Sequence, residues 1–344
     1  MQRNFILTDV MKTGYNQDLE SFVNHHSLKN QSFDTTNEYY TTHEYNLETY
    51  DRRFAVIDAR RADVRMHGNT EFDLELRRRC DLLHSQGFVF IKSTPWESVH
   101  DINNSTLYPE IEIDHIKWSG GVSWFWFYMR QKHLGQSFNF DHSKKKFDFL
   151  YLNKSPRAHR KKMFQRLKHL LDNSLYNKWE QSIKLSSAYE LPCPQDYPEY
   201  GNDQDIFEKP YNDSKFSLVS ESNDTNNEIF MTEKIWKPII AQQPFVVHGN
   251  YLYLQKLREM GFKTFANYFD ESYDLEVDAD KRIDKIVHTC QDLLTKNWKD
   301  IYLQTQSLRQ HNYDTFFNKE KMSLEINKTL ELFLEFADRG QIPS

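Results

Sequence analysis

Residues 216–249 read FSLVSESNDTNNEIFMTEKIWKPIIAQQPFVVHG. The stretch opens on a short apolar strand, Phe216 to Val219, and passes through an acidic, polar loop. A helix is predicted over Thr232 to Gln243, with Thr232 placed to cap its first turn. Pro244 to Val247 is a second apolar strand, and His248-Gly249-Asn250 is a turn. Strand, helix, strand is one βαβ unit and implies parallel pairing. Glu233 stands on the first helical turn, where a carboxylate is favoured and can accept both hydroxyls of a ribose; Lys234 beside it can reach a phosphate as a point charge. Glu221 ends a strand, and open α/β sheets bind ligands outside the carboxyl ends of their strands. A plainer reading, a capped helix with a surface Glu and Lys, explains Thr232 but not the clustering.

Upstream, FDFLYL (147–152) is a continuous apolar strand that runs into NKSPRAHR (153–160). Ser155 suits an N-cap and Pro156 the first helical position, so a helix is expected from Pro156 to about Asp172. Lys154, Arg157 and Arg160 then gather at a strand end and a helix start, which is an anion site suited to a diphosphate. The plainer reading is a solvated basic face, continued by Lys161, Lys162, Arg166 and Lys168. Leu191 to Ser214 reads as a loop. Downstream, a short helix over Tyr251 to Met260 stops at Gly261, and amphipathic helices are expected at 278–296 and 320–338.

The N-terminal half repeats the logic more weakly. Residues 1–55 look irregular. Phe54 to Ile57 is a strand, Thr70 to His84 an amphipathic helix, Gly87 its stop and Phe88 to Ile91 a second strand. Further candidate strands lie at Ile111 to Ile113 and Val122 to Phe127. The polar run Gln136 to Lys146 marks a domain boundary, dividing the chain into 1–145, 146–300 and C-terminal helices at 301–344.

The 216–249 segment resembles the donor-binding motif of the α1,3-fucosyltransferase family: F-x-L-x-x-E-N-S, a short loop, Y-x-T-E-K, an apolar helix, then P-V-V-x-G. Phe216, Leu218, Glu221, Thr232, Glu233, Lys234, Pro244, Val246, Val247 and Gly249 match it. Ser222-Asn223 reverses the Asn-Ser of the pattern, and Phe230 replaces its Tyr, which puts one donor contact and the sugar identity in question. NKSPRAHR is similar to the strand-to-helix turn that opens the donor domain of such enzymes. GFKTFANYFDESYD (261–274) resembles a stretch found after it in related bacterial and viral glycosyltransferases.

The resemblance covers about residues 147–275. It implies an α/β fold of the GT-B type, two Rossmann-like domains whose parallel sheets face a cleft. The first domain would serve the acceptor and the second the nucleotide sugar. It also implies inverting transfer from a nucleotide-diphosphate sugar, a GDP-sugar such as GDP-fucose, to a glycan acceptor with no required metal or other cofactor. Carried over by position, Glu233 would bind the ribose, Lys234 the phosphates, and Arg157 or Arg160 the second phosphate contact, with Glu221 shaping the pocket. Asn153, Lys154, Asn223, Phe230 and Thr232 complete the expected donor set. The family's base is a Glu of the first domain. Trp96-Glu97-Ser98 echoes its Glu-Ser-Pro turn, so Glu97 is the choice for deprotonating the acceptor hydroxyl, with Glu110, Glu112 and Asp114 open. Two other readings stand beside it: sugar transfer to modified DNA, and a non-catalytic nucleotide- or glycan-binding module.

Composition narrows the classes. The chain has 344 residues, with 44 Lys+Arg against 50 Asp+Glu and a net charge of -6, which disfavours nucleic acid or anionic lipid as the main partner. Aromatics reach 15%, enough to fill a core despite a hydrophobic fraction of 38%, so disorder does not describe the chain. Cys80, Cys193 and Cys290 are too scattered for a disulfide framework or a metal site. No signal-peptide pattern opens the chain, and the most apolar later run, Val122 to Met129, is far short of the roughly 20 residues of a membrane helix. A cytoplasmic protein is expected. Asp203-Gln204-Asp205 and Asp278-Ala279-Asp280 spell D-x-D, but a loop and a helix start account for them better than a metal does. His25, His26, His142 and His159 lack partners at metal-ligand spacing and suggest surface or capping roles, and Trp124 to Phe127 suggests core packing. No G-x-S-x-G, P-loop or kinase motif is present.

Overall fold

Phe147–Tyr151 (β7), the FDFLY strand, is almost wholly buried, as a strand covered on both faces must be. The computed structural model describes residues 138–153, 157–176, 206–224, 228–322 and 324–325. Before residue 138 it describes strand backbones and the helical residues 78, 81–83, 85, 123, 124, 127, 128 and 131. The chain divides into two compact units, Met1–Val122 with Ser323–Ser344, and Ser123–Met322. No helix among the described residues is long and apolar enough to cross a membrane.

The first unit holds a five-stranded sheet in the order β2-β1-β3-β4-β6. Its strands are Arg3–Asp9 (β1), Gln31–Thr36 (β2), Arg52–Asp58 (β3), Val89–Ser93 (β4) and His115–Trp118 (β6), all paired in parallel. The expected βαβ unit is there: β3 pairs β4 with Phe54 opposite Val89, and residues 78, 81–83 and 85 between them are helical. The opening residues are not irregular throughout, since β1 and β2 both enter the sheet. QSFDTT is polar because β2 is an edge strand, with neighbours on one side only. Trp96–Ser98 (β5) is a short strand, and Ile111 to Ile113 lies outside the described residues.

The second unit is built on a four-stranded parallel sheet, β11-β9-β7-β8. Beside β7 lie Leu175–Tyr176 (β8), Ser214–Ser220 (β9) and Phe245–His248 (β11), with Phe149 opposite Phe216 and Leu218 opposite Val246. Glu228–Phe230 (β10) is a short strand outside this sheet. The helices are Ala158–Leu167 (α1), Glu208–Asp213 (α2), Glu233–Ile240 (α3), Tyr253–Glu259 (α4), Ala279–Thr295 (α5), Trp298–Gln304 (α6) and Gln306–Phe316 (α7). From β7 the chain goes through α1 to β8 on one side; from β9 it goes through α3 to β11 on the other. The connections therefore part between β7 and β9, and at such a switch point a crevice opens outside the carboxyl ends of the two strands.

Four expectations change. Val122 to Phe127 is not a strand, because Ser123, Trp124, Phe127, Tyr128 and Gln131 are helical. Residues 124, 127, 128 and 131 recur at helical spacing, a period hidden inside a continuous aromatic run. Trp124 and Phe127 are core residues. The Trp124 ring lies 4.8 Å from Phe262 and 6.2 Å from Trp236, and its indole N–H donates to the Phe316 carbonyl at 2.9 Å. These contacts draw residue 123 onward into the second unit, so the division falls before the polar run 136–146. α1 starts at Ala158 with Arg157 in the capping position, not at Pro156 behind a Ser155 cap, and α2 occupies part of the expected 191–214 loop.

Glu271 and Asp274 fasten α4. Asp274 accepts the amides of Leu254 and Gln255 at 2.7 and 3.0 Å, and Glu271 accepts that of Phe265 at 2.7 Å. Burial outweighs these bonds and the nearby Arg258, pushing the Glu271 carboxyl up to about 7. The folded chain therefore holds a proton there between the ordinary carboxylate range and about pH 7, and stability falls as pH rises through that window. Between about pH 5 and about pH 8, urea unfolding should show the wild type losing up to about 3 kcal/mol relative to Glu271→Gln.

Candidate functional site

Asn153 and Arg157, on either side of the β7-to-α1 connection, and residues 221–224 after β9 follow the carboxyl ends of these two strands. Glu221 is fully buried there. One carboxylate oxygen accepts the Thr232 amide at 3.1 Å and the Tyr253 hydroxyl at 2.7 Å; the other accepts the Thr232 hydroxyl at 2.6 Å. Burial raises its pKa, while Lys234, Thr232 and Tyr253 act in the opposite direction. Thr232 in turn accepts from the Lys234 amide, the expected N-cap of α3. Glu221 thus sets where α3 begins.

Glu233 and Lys234 project from that first turn, half-buried and 2.6 Å apart, and the Lys234 ammonium also donates to the Thr232 hydroxyl at 3.0 Å. Burial pulls the Glu233 carboxyl up, but Lys234, Lys237 and hydrogen bonding outweigh it and leave its pKa lowered. Glu233 is therefore an anion whose charge is answered by two lysines, poised to accept hydroxyl hydrogen bonds.

Arg160 is buried on the first turn of α1. It donates to the carbonyls of Glu221 and Ser220 at 3.2 and 3.0 Å and to the Ser222 hydroxyl at 3.4 Å. Those bonds hold the end of β9. Arg157 stands half-buried at the capping position of α1. Its charge and those of Glu221 and Glu233 all act on Arg160, so the arginines after β7 and the Thr-Glu-Lys turn share one electrostatic neighbourhood.

The other expected residues fall as follows. Asn153 is buried just beyond β7, and Asn223 is half-buried in the 221–224 loop. Phe230 is buried, with its amide bonded to the Asn250 side chain at 2.9 Å, so its ring is a packing element. Lys154 lies outside the described residues, as does the side chain of Glu97, whose backbone belongs to β5. Asp278 caps α5 through the Lys281 amide, and Asp280 pairs with Lys162 at 2.9 Å, which accounts for the second D-x-D. Asp203 and Asp205 lie outside the described residues. Among the described residues no group of three or more His, Cys, Asp or Glu side chains is arranged to hold a metal ion. Lys162 and Arg166 of the basic face pair with Asp280 and Asp284 of α5 at exposed positions, so part of that face is neutralised within the chain.

Of the histidines expected in surface or capping roles, His25 and His26 lie outside the described residues, His142 is half-buried and His159 is buried. His142 donates to the Ala241 carbonyl and receives a hydrogen bond from Lys145. His159 is buried among Glu221, Asp224 and His248. Tyr253, Asp224 and His248 were not selected from the sequence, since their partners lie dozens of residues away and no local pattern marks them.

No protein-family model matches the sequence, and no curated protein matches it. Among solved structures, the chain is similar to an α1,3-fucosyltransferase crystallised with GDP-fucose, at 12% identity over 98% of this chain and 90% of that one, with a TM-score of 0.34.

Gly249 leaves the space that Tyr253 fills: a Cβ at residue 249 would lie 2.7 Å from the Tyr253 ring. Gly249→Ala should therefore cost about 1–3 kcal/mol in urea unfolding, most of it vanishing in a Tyr253→Ala background. Tyr253→Phe alone, which removes one donor from a buried carboxylate, should cost a similar roughly 1–3 kcal/mol.

Proposed function

We propose that the chain is a glycosyltransferase that takes its sugar from a nucleoside-diphosphate donor, a GDP-sugar such as GDP-fucose, and passes it to a glycan acceptor with inversion and without a required metal. One observation supports this reading: Arg157 at the start of α1 and Glu233 on the Thr-Glu-Lys turn both act on Arg160, which is bonded to the carboxyl end of β9 in a parallel sheet. Cationic side chains and helix starts suit a diphosphate, and a carboxylate beside them suits a ribose.

In this reading Lys234 and Arg157 meet the diphosphate oxygens. As the glycosidic bond breaks, negative charge collects on the departing diphosphate, and fixed cations stabilise it without rearranging. Glu233 accepts the ribose hydroxyls. Glu221, Thr232 and Arg160 hold the backbone that presents these groups. Glu97 takes the proton of the attacking acceptor hydroxyl as general base. A DNA acceptor gains nothing from the paired basic face of α1.

In a thermal-shift panel of GDP, UDP, CDP and ADP, GDP should raise the melting temperature most. Lys234→Ala should weaken calorimetric GDP affinity by at least about tenfold, the loss of one charge-assisted hydrogen bond, and Glu233→Ala should also weaken it. Unchanged affinity in both would remove the site. Glu97→Gln should abolish transfer while leaving GDP affinity intact, and transfer should persist in EDTA.

A further inference from the structure

The sheet of the first unit has a switch point of its own. Its order, β2-β1-β3-β4-β6, takes the chain from β1 to β2 on one side and from β3 through β4 to β6 on the other. The connections part between β1 and β3, and open α/β sheets bind ligands beyond the carboxyl ends of such a strand pair. Both strands end on an aspartate, Asp9 in β1 and Asp58 in β3.

Register sets which residues share a face there. Asp9 lies opposite Val56, and Asp58 stands two residues beyond Val56, so the two aspartates fall on one face. Asp58 lies opposite Ser93, the last residue of β4, and Ser93 opposite Trp118, the last residue of β6. Further back along the strands the same face carries Leu7, Phe54, Val56, Val89, Ile91 and Ile116. Four neighbouring strands thus change together, at one end of one face, from apolar residues to Asp, Asp, Ser and Trp. Like charges on adjacent strands repel, so sheet packing alone does not select the two aspartates.

We propose that Asp9, Asp58, Ser93 and Trp118 form a second binding row whose ligand is a glycan. Carboxylates accept hydrogen bonds from sugar hydroxyls, a serine hydroxyl donates or accepts one, and an indole packs on the C–H face of a sugar ring. Two carboxylates repel a phosphate. A divalent cation would engage the aspartates but give Trp118 no part. Strands lie about 4.8 Å apart, so the row spans roughly 14 Å, which suits an oligosaccharide and exceeds what one ion needs.

The row rests on the glycosyltransferase reading only for calling that glycan the acceptor. Trp96–Ser98 (β5), which carries Glu97, follows Ser93 after two residues, so the expected base leaves the sheet at the end where the row lies.

Saturation-transfer NMR on the full chain tests this, with lactose and methyl N-acetyl-β-D-glucosaminide as probes. Wild type should saturate the C–H face of at least one probe. Asp58→Asn and Trp118→Ala should each weaken that binding by at least about tenfold, the loss of a charge-assisted hydrogen bond or of the packing surface, and Trp118→Phe should restore much of it. If Trp118→Ala does not fold, Asp9→Asn and Ser93→Ala take its place and should weaken binding in the same sense. Failure of both probes to bind wild type, or equal binding by wild type and variants, would overturn the row. Magnesium binding that Asp58→Asn abolishes, with no sugar bound, would overturn it in favour of a cation site. GDP binding without sugar binding removes the row alone. Sugar binding without GDP binding removes the nucleotide reading and leaves the row.

Discussion

A buried carboxylate is tolerated in a protein interior only where donors surround it, and the second unit is organised around one. Glu221 collects the Thr232 amide and hydroxyl and the Tyr253 hydroxyl. Through them it joins the end of β9 to the starts of α3 and α4. Arg160 reaches the same strand end from α1 and binds the carbonyls of Ser220 and Glu221. Four elements are thereby fixed around one residue, because removing any donor leaves charge stranded in a low-dielectric interior.

That arrangement divides the polar residues by depth. Glu221, Thr232, Arg160 and Tyr253 are buried and hold backbone. Arg157, Asn223, Glu233 and Lys234 are half-buried. The ion pairs between α1 and α5 act elsewhere, docking the outer face of α1 against its neighbour at exposed sites where each pair adds little stability.

Local pattern carried the sequence reading where one element declares itself within a few residues. The Thr232 cap, the βαβ pairings of β3 with β4 and β9 with β11, the α4 stop before Gly261 and the Asp278 cap of α5 all follow from short-range chemistry. The aromatic run at 122–127 misled because period cannot be read where every side chain is apolar. β2 was missed because an edge strand tolerates polar residues, and α2 because its six residues lie among turn-forming neighbours.

The amino-acid sequence by itself determined the parallel α/β character of both units, the capped Thr-Glu-Lys helix and the basic turn after β7, since each depends on residues close in the chain. Only the tertiary structure decided which cations are buried against backbone and which stay at the surface. Arg160 and Arg157 are three residues apart and chemically alike, yet one is buried against β9 carbonyls and the other stands at the helix start. It also decided that His159 and His248 share Asp224. Strand order brings these groups together across long separations, and a buried polar group takes its role from the partners that packing supplies.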